Sequence, residues 1–242
     1  LTAPDGATAT MGLNGGHLLS GQPAGAPEQL YLSPRSEYAS GKKAIRGGVP
    51  VCFPQFSDMG PLGQHGFARN LPFTVVDQAA DKVTMRLVPG EAQLAAYPHA
   101  FELDVTYALG AGGALSCAVR VANKGGDAMK FTFALHSYFE VGALAETSMR
   151  GLKGCSYLDN LEARTTKSDG GDALAFPENV DRIYLGVPGD VAICDGARKC
   201  RVVLKRSATL PDVVTWNPWA EKAKAMADLG DDEYLRFVCA EA

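Results

Sequence analysis

Apolar and polar positions alternate with a period of two through most of this chain. In KFTFALHSYFEV (130–141), Phe131, Phe133, Leu135, Phe139 and Val141 fall on one side, and Thr132, Ala134, His136, Tyr138 and Glu140 on the other. FELDVTYALG, ALSCAVRVANKG, KVTMRLVPG, RIYLGV, KCRVVLKRS, DVVTW and YLRFVCAEA read as further strands between Gly, Asn and Asp turn signals. LGAGGAL (109–115) and ICDGARKC predict hairpin connections, the second through Asp195-Gly196. Helical periodicity is confined to two turns in GEAQLAAYP and a short helix in AEKAKAMADLG, ended by Gly230. Long helices never alternate with the strands, so the pattern predicts an all-β, antiparallel sandwich rather than an α/β fold. All-β folds of this length often form one domain, and a single domain over 1–242 is expected.

Composition narrows the function more than the fold. The 242 residues are 46% hydrophobic and 21% charged, an ordinary globular balance. No apolar run approaches the length of a membrane-crossing helix, so no membrane partner is expected. The net charge of −4 argues against nucleic acid as the main ligand. An anionic ligand would need a local basic cluster working against that charge. The opening LTAPDGATAT is no secretory signal, and a removed transit segment stays open. Four of the six cysteines, Cys52, Cys117, Cys155 and Cys239, lie in or beside apolar runs as buried thiols do. Only Cys194 and Cys200, flanking DGARK, are placed to bridge a hairpin. No CxxC occurs, and a reducing, cytoplasmic or organellar, compartment is expected.

Candidate chemistry gathers at four places. His136 sits on the less apolar face of its strand, as a hydrogen-bonded structural residue or as a catalyst. Strand parity places Glu241 with Leu235, Phe237 and Cys239, where a carboxylate needs a partner or a task unless the chain end frays. Lys42, Lys43 and Arg46 precede Gly47 and Gly48, whose freedom lets backbone approach a ligand closely; a solvated basic turn is the alternative. QHGFARN (64–70) crowds Gln64, His65 and Arg69 beside the small Gly66 and Ala68. Arg46 and Arg69 together would suit a phosphate, because planar guanidinium forks match its oxygens. TWNPW (215–219) reads as a packed turn more than a sugar-stacking platform, and LGDDEY as a solvated acidic loop. No HExxH or HxH run supports a metal site.

Taken in order, AIRGGVPVCFPQF, QHGFARN, YPHAFEL, ALHSYFEV, GLKGCSYLDN, VDRIYL, WNPW and MADLGDDEY…VCAEA resemble the glucose-6-phosphate 1-epimerases, the hexose-6-phosphate mutarotases of the aldose 1-epimerase superfamily. The resemblance runs from about residue 5 to the end of the chain. It implies a galactose-mutarotase-like β-supersandwich that interconverts the α and β anomers of a hexose 6-phosphate without metal or other cofactor, acting as a monomer. It also implies His136 and Glu241 as the catalytic pair, with Arg46, Gln64, His65, Arg69 and Asp159 binding substrate. Such relatives continue past the VCAE segment into a further strand, and many carry Trp where Phe53 stands, a change expected to adjust packing. An epimerase for free sugars, a non-catalytic sugar-binding sandwich and a metal-dependent isomerase remain the alternatives.

Overall fold

The structure is a computed structural model that describes residues 1–36 and 43–242. Every pairing between its strands is antiparallel, and among the described residues helix is limited to Glu91–Ala96, Trp219–Lys224 and short 3-10 turns. The chain forms two compact units.

The first unit comprises residues 1–30 and the described residues 43–135. Its main sheet is the meander Thr74–Gln78, Lys82–Leu87, Phe101–Leu109 and Leu115–Asn123. Alternation sends Val83, Met85 and Leu87 into the core, with Leu103, Val105 and Tyr107 opposite them. Asp104 projects to the other face, where Arg86 covers it and grips both its oxygens, at 2.6 and 2.9 Å. Thr8–Gly12 pairs with His17–Gln22, and Val51–Cys52 pairs with Ala134–Leu135. Phe53 is fully buried with its ring edge-on to Phe101, so it fills core as expected of a packing position.

The second unit comprises Tyr31–Ser36 and His136–Ala242. Six strands run in the order Thr165–Ser168, Ser156–Asp159, Val180–Tyr184, Val213–Asn217, Phe237–Glu241 and Tyr138–Glu140. One face packs against a four-stranded sheet through Tyr157, Tyr184, Val213, Val238 and Ala240, meeting Met149 and Ile193. The other face carries Tyr138, Trp216, Phe237 and Cys239 in a second core with Tyr31 and Leu229. The last strand is therefore buried on both sides.

Two sequence expectations change. The alternation over 130–141 breaks into Ala134–Leu135 and Tyr138–Glu140, which belong to different sheets, while Phe131 is exposed. The C-terminal helix ends at Lys224, before Gly230. All six cysteines are free. Cys194 pairs in register with Arg201 while Cys200 pairs with Asp195, so the two thiols leave opposite faces of their hairpin and do not meet.

Candidate active site

In the second unit, His136 stands where the chain leaves Ala134–Leu135 and enters Tyr138–Glu140. Its imidazole stacks on Tyr138, centroids 4.7 Å apart, and meets the ring of Trp216 edge-on at 5.8 Å. These aromatic walls fix the plane of the ring. Its Nδ1 lies 3.4 Å from Oε1 of Glu241, and both side chains are buried. Glu241 ends the strand Phe237–Glu241 opposite Val214.

That strand is held along its length. The Asn217 amide donates to the carbonyls of Tyr234 and Phe237, at 2.9 and 2.8 Å, while its Oδ1 accepts from the Trp219 amide. Ala240 donates its amide to the Ser137 carbonyl at 3.2 Å, which ties the strand to the residue after His136. Trp216 lies within the core, and Trp219 packs on Tyr234, so TWNPW is a packed turn.

Register decides which other acids share this face, because directly opposed residues in an antiparallel sheet project to one side. Glu241, Val214, Ile183 and Leu158 form one row; Cys239, Trp216 and Asp181 form the next. Asp159 aligns instead with Arg182, Thr215 and Ala240, on the opposite face. The structure does not bring Asp159 to the His136–Glu241 pair. Its carboxylate accepts from Lys167 Nζ at 2.8 Å and from the Leu161 amide at 3.1 Å. Burial pushes this carboxyl up, but the Lys167 and Leu161 hydrogen bonds, with the Lys167 and Arg182 charges, more than offset that and hold it below its usual value.

Asp181 is the acid that strand parity alone did not find. It accepts from the Asn160 side-chain amide at 2.7 Å and faces Lys222 Nζ at 3.5 Å. Its only sequence signal is its place in VDRIYL, and pairing with Trp216 is what locates it.

In the first unit, QHGFARN makes a tight loop ending in a 3-10 turn, Ala68–Asn70. His65 is buried with a φ of 65°; its amide donates to the Ser57 carbonyl at 2.8 Å, and its Nδ1 accepts from the Ser57 amide at 3.2 Å. The ring proton therefore sits on Nε2. Burial, then the Arg69 and Arg46 charges, lower its pKa to about 4, so the imidazole is neutral at physiological pH. Arg46 and Arg69, which sequence reasoning paired, both act on His65 through their charges. Arg69 Nη2 donates to the Gln64 carbonyl at 2.9 Å, while the Gln64 side chain is exposed. Lys42 lies outside the described residues, and Lys43 is exposed.

The glycines leave room for the chain itself rather than for a ligand. A Cβ on Gly66 would come 2.3 Å from the Phe53 carbonyl oxygen, and one on Gly48 would come 2.3 Å from that of Leu18. Ala68 is fully buried. Sequence reasoning also missed His17, whose Nε2 sits 2.8 Å from the Gly47 carbonyl oxygen.

The family model described as aldose 1-epimerase matches residues 1–242. A protein of Cenchrus ciliaris with the provisional name glucose-6-phosphate 1-epimerase is 41% identical over 240 residues, 95% of this chain and 72% of its own. One from Escherichia coli with the same provisional name is 36% identical over 244 residues, 96% of this chain and 78% of its own. A crystal structure from Salmonella typhimurium, provisionally named a mutarotase, superimposes with a TM-score of 0.86 at 33% identity, covering 98% of this chain and 79% of that one. A galactose mutarotase-like protein from Lactobacillus casei, 19% identical, shares the fold with a TM-score of 0.79 over 99% of this chain and 85% of its own.

Proposed function

This chain belongs to the aldose 1-epimerase family, and from that premise we propose that it interconverts the α and β anomers of a hexose 6-phosphate, glucose 6-phosphate foremost. The observation that carries the reading is the buried contact between His136 Nδ1 and Glu241 Oε1, 3.4 Å apart on a face walled by Tyr138 and Trp216.

Mutarotation opens the ring, turns the C1–C2 bond and closes the ring again. Glu241 takes the proton from the C1 hydroxyl, the C1–O5 bond breaks with its electrons going to O5, and C1 becomes an aldehyde. His136 donates its proton to O5. With Nδ1 turned toward Glu241, the imidazole works on the sugar through Nε2. After rotation, O5 attacks the other face of the aldehyde carbon, its proton returns to His136, and Glu241 gives its proton to O1. Every proton is returned, so the pair ends as it began.

The carboxylate and the imidazolium support one another's charge out of water, which offsets the cost of burying either alone. Asp181, on the same face, is assigned a sugar hydroxyl as hydrogen-bond acceptor. Arg46 and Arg69 are assigned the 6-phosphate, where two guanidinium forks supply charge-assisted donors. Neutral His65, whose ring proton is on Nε2, adds a donor there without further positive charge, and Gln64 is assigned a hydroxyl contact. Both members of the catalytic pair come from one chain, which supports action as a monomer. Six free thiols support a reducing compartment, cytoplasmic or organellar.

Two-dimensional exchange NMR on glucose 6-phosphate, with glucose alongside, tests the reading. Faster α–β exchange of the phosphorylated sugar is expected. Exchange at the uncatalysed rate for both sugars overturns the assignment.

A further inference from the structure

The catalytic pair has a third neighbour that mutarotation does not use. Cys239 lies two residues before Glu241 on the same strand face and is fully buried. Donor atoms of His136, Cys239 and Glu241 all lie within 4.8 Å of one another, the one such group of three among the described residues. We propose that these three side chains form an inhibitory site for a thiophilic divalent cation of the zinc class. The inhibitory part rests on the mutarotase reading; the binding part does not.

The donor chemistry selects the cation. One thiolate, one carboxylate and one neutral imidazole carry two negative charges, which balance a divalent ion in a buried place. Zn²⁺ takes such mixed N, O and S sets in tetrahedral geometry with a fourth position left for water, whereas magnesium and calcium prefer oxygen donors throughout. Bond lengths of about 2.0–2.1 Å to nitrogen and oxygen put those two donors about 3.3 Å apart around a tetrahedral zinc. The His136 Nδ1–Glu241 Oε1 distance is 3.4 Å, so that edge already has the required length. The sulfur, within 4.8 Å of the other donors, has to draw in by about 1 Å to the ~3.6 Å spacing that a ~2.3 Å bond sets. The stack on Tyr138 and the paired strand hold the other two donors in place. His136 is the most exposed of the three, and the ion enters past it.

Binding would halt the reaction directly. The carboxylate would hold metal instead of taking the C1 proton, the imidazole with metal on Nδ1 could no longer form the imidazolium that donates through Nε2, and Cys239 supplies the soft ligand that makes the ion stay. Cys239 has no part in proton transfer, so its removal separates the two functions.

The test uses the whole purified chain dialysed against Zn²⁺ and, in parallel, Co²⁺. One zinc per chain is expected, with a thiolate-to-cobalt charge-transfer band and the visible bands of a four-coordinate ion. Cys239→Ala should lose that band and bind zinc at least about 10-fold more weakly. Its anomer exchange should stay near wild type at zinc concentrations that halve the wild-type rate. His136→Gln, read by metal binding alone, should weaken zinc by a similar factor and serves if Cys239→Ala does not fold. No stoichiometric zinc, or a band and affinity unchanged in either variant, overturns the site. Thiolate-bound metal in a wild-type protein that never accelerates anomer exchange would support the site and refute the mutarotase reading instead.

Discussion

His136 Nδ1 and Glu241 Oε1 meet at 3.4 Å because two separate stretches of chain, Tyr138–Glu140 and Phe237–Glu241, pair as neighbouring strands in one sheet. Acid–base assistance of this kind contributes about 10²–10⁴-fold to rate. Glu241→Gln preserves the shape and the strand, so kcat for anomer exchange should fall by about that factor while circular dichroism stays unchanged. A loss smaller than about tenfold, measured by exchange NMR, would remove Glu241 from the base role.

Arg69 tests the phosphate assignment. A hydrogen bond to a charged group contributes about 1.5–3 kcal/mol, so Arg69→Ala should raise KM for glucose 6-phosphate by roughly 10- to 150-fold. Free glucose should be affected much less. Burial, Arg69 and Arg46 hold the His65 imidazole down to about 4, and removing one guanidinium should let it titrate higher by NMR. Equal losses on both sugars would leave the arginine a structural role through its bond to the Gln64 carbonyl.

His17 and His65 set the acid side of the stability profile. Burial is the main cause at both, joined by the Arg69 charge, and each has a folded pKa of about 4 against 6.5. Above pH 6.5 both states hold the rings neutral and the fold keeps its full stability. Between pH 6.5 and 4 the unfolded chain takes up protons that the folded chain refuses, so stability falls, and below 4 the loss levels off. For His17 the loss is on the order of 3 kcal/mol. Urea unfolding at pH 7.5 and pH 4.5 should show it, with a shallower pH dependence in His17→Gln. An equal slope in that variant would contradict the assignment.

Gly66 holds the QHGFARN loop against Phe53. Its φ is +66°, and an added Cβ would lie 2.3 Å from a backbone oxygen that cannot rotate away. Left-handed backbone alone costs an L-residue roughly 1–2 kcal/mol, and the clash adds to it. Gly66→Ala should lower Tm by several degrees, whereas Gly63→Ala, with nothing within 4 Å of its added Cβ, should not. Thermal unfolding of the two variants side by side checks this.

Local alternation was enough to read the strands from Lys82 to Asn123 and the shared face of Phe237, Cys239 and Glu241. It was not enough where a partner strand decides the outcome. The run 130–141 reads as one strand because nothing local marks the change of sheet at His136. Cys194 and Cys200 look bridgeable by spacing, and only the register of their hairpin sends them to opposite faces. Gly48 and Gly66 signal close approach correctly, but what approaches is the carbonyl of a residue distant in the chain. The pair itself was named by the family resemblance, because parity alone left His136 a structural residue or a catalyst and Glu241 a partnered acid or a frayed end.

The same limit applies to the acids. Asp159 and Asp181 each stand on a strand within a motif that supports the family resemblance; the resemblance picked Asp159, and parity ranks neither above the other. Pairing does: Asp181 lies beside Trp216 on the face of Glu241, while Asp159 is turned to the opposite face and bound by Lys167. Asp181→Asn should therefore raise KM for the sugar phosphate by about tenfold, the weight of one hydrogen bond of ~1.5 kcal/mol involving a charged group. Asp159→Asn should leave KM near wild type and lower Tm, because it strips Lys167 and Arg182 of a buried anionic partner. Steady-state kinetics and thermal unfolding of both variants separate the roles. A KM effect confined to Asp159→Asn would mean that sheet register does not decide which carboxylate meets the sugar.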